Sequence, residues 1–191
     1  MTDLIARYPR VALDLGTGDG AAVLQRARRE PTTLAIGLDP VASVMADASA
    51  RAARRADRGG LPNALFVVAS VEQLPPELTN RADEVTVTLP WGSLLDGIVA
   101  AEPEVLGSMA ALLRPGGRLD IVVSTVARDG RRPLDMARLV AAFDAVGLAW
   151  HEAGDVTLPE LRALGSTWAK RLRAGTPERP ATRLRFERTS R

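Results

Sequence analysis

Short apolar runs alternate with longer amphipathic segments along the chain, and glycine, proline or asparagine marks most of the changes. The predicted strands are 10–15, 33–38, 64–69, 84–89 and 118–124. The predicted helices between them are 21–29, 41–58 and 103–113. Apolar runs without polar alternation are typical of strands buried on both faces. Because strands and helices alternate, the pattern predicts a parallel sheet covered by helices.

The last third of the chain continues with two helices and two strands. The predicted elements are helices at 134–146 and 159–173 and strands at 148–155 and 182–189, with loops at 128–133 and 177–180. The pattern contains no repeat and no second apolar core. A chain of 191 residues suits one domain of ordinary size, so we expect residues 1–191 to form a single domain.

A glycine-rich turn joins the first strand to the first helix. The turn reads Gly16-Thr17-Gly18-Asp19-Gly20. It brings backbone N–H groups and the positive end of a helix dipole to the carboxyl edge of the sheet. With Ala21 it also satisfies the dinucleotide pattern, so the turn alone does not select a ligand. Asp14 favours a cation, because its carboxylate suits an ammonium group, as in S-adenosylmethionine, and would repel a pyrophosphate.

Other polar residues follow the next strands at the same edge. Asp39 closes the second strand 23 residues after Gly16, where a carboxylate can accept hydrogen bonds from ribose hydroxyls. Glu72 follows the third strand, where we expect it to line the adenine side. The expected cofactor-binding residues are therefore Asp14, Gly16, Thr17, Gly18, Asp19, Gly20, Asp39, Pro40, Glu72 and Leu89.

The composition removes several classes of chemistry. There is no cysteine, one histidine (His151) and one lysine (Lys170), which excludes disulfides, thiolate chemistry and Cys/His zinc sites. The lysine follows no glycine turn, which argues against a Walker loop, and the scarcity of acid–base groups argues against hydride transfer. We expect no metal. The apolar stretches are short and the N-terminus lacks the layout of a signal peptide, so we expect a cytoplasmic protein.

The charge is unevenly placed. The net charge is +2, from 25 basic and 23 acidic residues. Residues 160–191 hold 9 bases and 3 acids, a net +6, which leaves −4 on the remainder. A local basic end of this kind is typical of contact with an anionic partner.

Two motifs resemble those of class I S-adenosylmethionine-dependent methyltransferases: the run from Asp14 to Gly20 and the Leu-Leu-Arg-Pro-Gly-Gly of 112–117. Four more are specific: Gly-Gly-Leu-Pro-Asn at 59–63, Glu-Gln-Leu-Pro-Pro at 72–76, Leu-Pro-Trp-Gly-Ser-Leu-Leu at 89–95 and Ser-Thr-Trp-Ala-Lys-Arg-Leu at 166–172. Together, over residues 8–172, they resemble the aminoglycoside-resistance 16S rRNA (adenine(1408)-N(1))-methyltransferases, the KamB/NpmA family.

The resemblance implies a seven-stranded, mostly parallel class I methyltransferase sheet with helices on both faces and an antiparallel C-terminal strand. It implies S-adenosylmethionine as cofactor, the 30S subunit as partner and action as a monomer. It also implies that Trp91 and Trp168 hold a flipped adenine, that Ser166 supports the site and that the basic residues after the second tryptophan grip rRNA. The expected RNA-binding residues are Lys170, Arg171, Arg173, Arg54 and Arg58.

The loop at Leu89-Pro90-Trp91-Gly92 agrees with methylation of a ring nitrogen. Enzymes that methylate the amino group of adenine usually carry an acidic or amide acceptor there, and this loop has none. Adenine N1 already has an in-plane lone pair, so the reaction depends on positioning more than on proton removal. The product is cationic, and an indole face stabilises a cation.

Other interpretations stay open on the residues alone. Trp168 has helical spacing with Leu161, Leu164 and Leu172, which also fits a buried face. Arginines at 51, 54, 55 and 58 share a predicted helical face, which fits either a solvated surface or RNA contact. The segments at 1–9 and 125–133 are short for the family. They leave room for a methyltransferase of another RNA or a small molecule, or for a binding module without turnover.

Overall fold

The strands form one seven-stranded sheet. In a computed structural model that describes residues 1–126, 129–130, 133–165 and 167–190, they are β1 (Arg10–Leu15), β2 (Thr33–Asp39), β3 (Ala64–Val68), β4 (Ala82–Thr88), β5 (Leu113–Val123), β6 (Leu148–Asp155) and β7 (Thr182–Arg188). Their order across the sheet is β3-β2-β1-β4-β5-β7-β6. The β1 to β5 pairs are parallel, and β7 runs antiparallel to both of its neighbours. The predicted mostly parallel sheet with an antiparallel C-terminal strand is confirmed.

The helices lie on both faces of this sheet. They are α1 (Thr2–Ile5), α2 (Ala21–Arg29), α3 (Ala42–Ala52), α4 (Gly92–Ala100), α5 (Pro103–Leu112), α6 (Met136–Ala145), α7 (Leu158–Ala163) and α8 (Thr167–Leu172). Alternate residues of β2 belong to apolar clusters on opposite faces of the sheet. Leu34 and Ile36 belong to the cluster that includes α4 and α5, whereas Ala35 belongs to the cluster that includes α2. In the described part of the chain, no helix has the length and apolar character needed to cross a bilayer.

Three helix predictions need correction. The helix predicted over 41–58 ends at Ala52, and a short 3-10 turn follows at 56–58. The reason is tertiary, because the chain folds back so closely that a Cβ on Gly60 would lie 1.7 Å from the Arg54 carbonyl oxygen. The arginines at 51 to 58 therefore do not share one helical face.

The helix predicted over 159–173 is two helices, α7 and α8, with Gly165 between them at φ +79°. A Cβ at Gly165 would meet the Gln25 side chain of α2 at 2.3 Å, so the break lets this segment approach α2. Helix α4 was not predicted. Its nine residues include two glycines and a single charged residue, so the polar side gives a weak signal: Ser93 and Asp96 are exposed, whereas Leu94, Leu95 and Ile98 are buried.

Two glycines on neighbouring helices give a matched test of this packing. A Cβ at Gly97 of α4 would meet Val105 of α5 at 2.6 Å, whereas a Cβ at Gly107 of α5 would meet Val146 at an ordinary 4.0 Å. We expect Gly97→Ala to lower the free energy of unfolding by about 1–3 kcal/mol through overpacking. We expect Gly107→Ala to raise it by about 0.5–1 kcal/mol through helix propensity. Urea denaturation measures both, and an equal effect of the two substitutions would contradict this packing.

Candidate active site

A cavity of about 360 Å³ opens at the carboxyl edge of the sheet. Its walls come from the ends of β1, β2 and β4, from the glycine turn, from the first turns of α3 and α4, and from α8. Of the predicted cofactor residues, it is lined by Gly16, Gly18, Asp39, Pro40 and Leu89. A smaller adjoining cavity is lined by Asp14, Gly16, Thr17 and Asp19, together with Thr88 and Trp168. Trp168 and Gly16 border both spaces, so the two form one continuous site.

The glycine turn is held against the end of β2. The N–H groups of Gly16 and Thr17 both donate to the Leu38 carbonyl, at 2.8 and 3.0 Å. Gly20 has φ +71°, and a Cβ there would lie 2.4 Å from the Phe66 ring, so only glycine fits. Gly20 lines neither cavity. Its predicted part in the cofactor site is therefore indirect, through the shape of the turn.

Asp39 connects the turn to α3. Its Oδ2 accepts a hydrogen bond from the Gly18 N–H at 2.9 Å, and its Oδ1 accepts one from the Val41 N–H at 2.9 Å. Each carboxylate oxygen can accept more than one hydrogen bond, so both retain capacity toward the cavity. The position predicted to receive ribose hydroxyls is therefore occupied by a carboxylate of fixed orientation.

Asp14 is a partly buried carboxylate without a direct cationic partner among the contacts described for it. Thr17 Oγ1 donates to its Oδ2 at 2.7 Å, and Thr86 Oγ1 donates to its Oδ1 at 3.0 Å. Burial raises the pKa of Asp14, and these two hydroxyl hydrogen bonds and the charge of Arg26 oppose that shift. A desolvated carboxylate beside an open cavity suits a cationic ligand group.

One wall of the large cavity is apolar and exposed. Val41 and Val44, at the start of α3, are 50% and 43% exposed and line the cavity beside Pro40. Sequence reasoning missed both valines. The available signal was their position, one and four residues after the Asp-Pro pair, which puts them on the side of α3 nearest the carboxyl edge. Exposed apolar surface inside a concave site is typical of a binding surface for a flat apolar ring.

Trp91 and Trp168 stand together at the mouth of the cavity. Their ring centroids are 6.3 Å apart with an interplanar angle of 40°, and the residues are 43% and 40% exposed. Trp168 does not occupy the buried face of α8, because that face is formed by Ala169, which packs with Leu161 and Leu89. The edge of the Trp168 indole instead lies against Gly18, where a Cβ would be 3.3 Å from Nε1.

Glu72 is exposed at the edge of the cavity. Hydrogen bonds from Ser70 and Ser93, which line the cavity, lower the pKa of the Glu72 carboxyl. That Glu72 faces the adenine side stays a prediction. Ser166 lies outside the described residues, as does the side chain of Lys170.

The predicted RNA-binding arginines fall into two groups. Arg171 and Arg173 are exposed beside Trp168, and the Arg171 guanidinium lies 5.6 Å from the Trp168 ring centroid. Arg54 and Arg58 are exposed in the connection that leads into β3, which places them at the amino edge, opposite the cavity. The structure therefore brings only the first group to the candidate active site.

The sheet order and this site define the chain as a protein of the class I methyltransferase fold. A family model described as NpmA, 16S rRNA (adenine(1408)-N(1))-methyltransferase, matches residues 1–186, and the chain belongs to that family. A relative in Escherichia coli with the same description is 30% identical over 188 residues, which cover 92% of this chain and 86% of the relative.

Solved structures agree with this assignment. The 16S rRNA methyltransferase KamB superposes with a TM-score of 0.87 at 32% identity, covering 98% of this chain and 91% of KamB. A tryptophan-to-alanine variant of a 16S rRNA (adenine(1408)-N(1))-methyltransferase from Catenulisporales acidiphilia, solved with the cosubstrate SAM, gives 0.86 at 31%, covering 98% and 89%. The aminoglycoside resistance methyltransferase NpmB1 gives 0.81 at 37%, covering 98% and 91%. The predicted family and fold are confirmed.

Burial of the ionised Asp14 carboxylate lowers the stability of the folded chain, because burial disfavours the charged form. Its pKa is higher in the folded chain than the ordinary 3.8, so the folded state holds more protons than the unfolded state between those two values. Stability therefore falls as the pH rises through that window. We expect Asp14→Asn, freed of ligand, to be more stable than the wild type at neutral pH, and the difference to vanish as the pH approaches 3.8.

Urea denaturation at several pH values measures this difference. Asp19→Asn, an exposed carboxylate of the same turn, serves as the control and should show no such gain. If Asp14→Asn were the less stable protein at neutral pH, the carboxylate would be contributing to the fold rather than straining it.

Proposed function

We propose that this protein transfers a methyl group from S-adenosylmethionine to N1 of adenine 1408 in the decoding-site helix of 16S rRNA, within the 30S subunit, and so confers aminoglycoside resistance. The carrying observation is the paired Trp91 and Trp168, which line the same cavity as Gly16 and Gly18 of the glycine turn. The relatives support the target, since they are 16S rRNA (adenine(1408)-N(1))-methyltransferases.

The residues present fit S-adenosylmethionine. The desolvated Asp14 carboxylate suits its ammonium group, and Asp39 can accept hydrogen bonds from the ribose hydroxyls. Val41 and Val44 offer an apolar surface to the adenine ring. Glycines in the turn carry no side chain, so that a ligand can approach the backbone closely.

The two tryptophans would hold the target adenine after it leaves the RNA stack. Stacking on an aromatic side chain is worth about 1–3 kcal/mol per base, which offsets much of the cost of unstacking. When bound, S-adenosylmethionine would supply a sulfonium methyl group: the N1 lone pair would form the new N–C bond while the C–S bond breaks, and its electron pair would leave on the neutral thioether of S-adenosylhomocysteine. The methylated base carries the positive charge, and the indole faces of Trp91 and Trp168 stabilise it.

The basic residues beside Trp168 complete the proposal. Arg171 and Arg173, with Lys170, would contact phosphates next to the flipped nucleotide, while Arg54 and Arg58 would contact a separate part of the rRNA from the amino edge. Ser166 would support the base between the tryptophans. We further propose that the protein acts in the cytoplasm as a monomer and without a metal.

A methylation assay on purified 30S subunits tests the function. We expect label from radioactive cofactor to enter 16S rRNA and primer extension to stop at adenine 1408. Trp91→Ala and Trp168→Ala should each lower kcat/KM by about 10- to 100-fold, because each removes one stacking surface. Trp150→Ala is the matched control, since Trp150 is also exposed (38%) but packs edge-on against Phe186 in the sheet. It should retain activity.

Different failures have different meanings. Unlabelled 30S subunits with label in another RNA or a small molecule would show a methyltransferase with a different substrate. Cofactor binding by calorimetry without product on any RNA would show a binding module without turnover. Expression in a sensitive bacterium, followed by growth on kanamycin and apramycin, tests folding, docking and target together.

A further inference from the structure

Asp14 lies at one end of a row of polar residues that crosses the sheet. The pairing register aligns Asp14 of β1 with Thr86 of β4, and Thr86 with Asp120 of β5. Glu84 lies two residues before Thr86, on the same face of β4. Polar side chains are rare on a central parallel strand, so this face of β4 serves something other than the apolar core.

Helix α2 places one arginine over this row. Arg26 donates from Nη1 to Glu84 Oε2 at 2.9 Å and from Nη2 to Glu84 Oε1 at 2.5 Å. The side chains of Arg26 and Glu84 are only 22% and 26% exposed. Such a two-pronged pair in partial burial keeps the guanidinium in one orientation.

Arg26 and Asp14 line a common cavity. It measures about 50 Å³ and lies behind Asp14, and its polar lining includes Asp14, Arg26, Thr86 and Thr88. The charge of Arg26 opposes the effect of burial on the pKa of Asp14. Other charged groups also lie around Asp14. Asp39, at the end of β2, raises the pKa of Asp14. Asp19 of the glycine turn lines the cavity that adjoins the active site, and Arg29 of α2 lines the cavity shared by Arg26 and Asp14.

We propose that Arg26 is a positioning residue of the cofactor site: its guanidinium keeps the Asp14 carboxylate ionised for the ammonium group of S-adenosylmethionine. Glu84 limits this effect, because it holds the guanidinium and neutralises part of its charge. The inference rests on the proposed function, in which Asp14 receives the cofactor. The competing explanation is that Arg26 and Glu84 only tie α2 to β4.

Two substitutions separate these explanations, because both break the ion pair but change the charge in opposite directions. Arg26→Gln removes the positive charge, so cofactor affinity should be lost at a higher pH than in the wild type. At a pH near the wild-type midpoint, the dissociation constant should then rise several-fold, up to about tenfold. Glu84→Gln removes the nearer negative charge and leaves Arg26 only the more distant Glu30 at 3.9 Å, so the same loss should move to lower pH.

Isothermal titration calorimetry with S-adenosylmethionine at several pH values, all below the range in which an α-amino group titrates, measures both shifts. Arg26→Lys should restore most of the wild-type profile. Arg28→Gln, an exposed arginine on the same helix, is the matched control and should leave the profile unchanged. Shifts in the same direction for Arg26→Gln and Glu84→Gln, or no shift in either, would overturn the inference.

A second measurement keeps the inference independent of cofactor binding. The Asp14 carboxyl carbon can be titrated by NMR in ligand-free protein, where Arg26→Gln should raise its midpoint and Glu84→Gln should lower it. If the wild type binds no S-adenosylmethionine, the proposed function fails, and this titration still decides whether Arg26 controls the charge of Asp14. Equal midpoints in the three proteins would refute that control.

Discussion

The site depends on the attachment of the glycine turn to the end of β2. The N–H groups of Gly16 and Thr17 both donate to the Leu38 carbonyl, and the N–H group of Gly18 donates to the Asp39 carboxylate. These bonds continue the β1–β2 register beyond the strands themselves. As a result, Asp14 near the end of β1 and Asp39 at the end of β2 are presented to two adjoining cavities.

The two tryptophans depend on a second common support. Trp91 follows Leu89, which has φ +52° and donates its N–H to the Val122 carbonyl at 2.8 Å. Leu89 and Val122 pack in the same apolar cluster as Ala169, the neighbour of Trp168. The same apolar cluster therefore supports both tryptophans, although 77 residues separate them in the chain. Two stacking contacts need a separation of about 7 Å, slightly more than the observed 6.3 Å, so the proposed binding of a base between the tryptophans requires the rings to move apart.

The basic C-terminal part is less available to RNA than its net charge indicates. Arg183 and Arg185 pair with Asp120, Arg185 also pairs with Glu152, and the buried Arg179 pairs with Asp129. These ion pairs attach β7, and the segment that precedes it, to neighbouring parts of the fold. The exposed arginines beside Trp168, Arg171 and Arg173, are the ones placed for phosphate contact. Position in the fold, not position in the chain, separates the two roles.

The sequence by itself determined the sheet, the glycine turn, the two carboxylates and the family motifs, because buried strands and turns leave local signals of apolar runs and glycine spacing. Only the tertiary structure decided that Trp168 faces the cavity, since helical spacing alone also fits a buried face. It likewise decided that Trp91 meets Trp168 and that Arg26 lines a cavity together with Asp14. The first of these contacts joins residues far apart in the chain, and the second joins a helix to a strand, so one sequence carries no local signal for either.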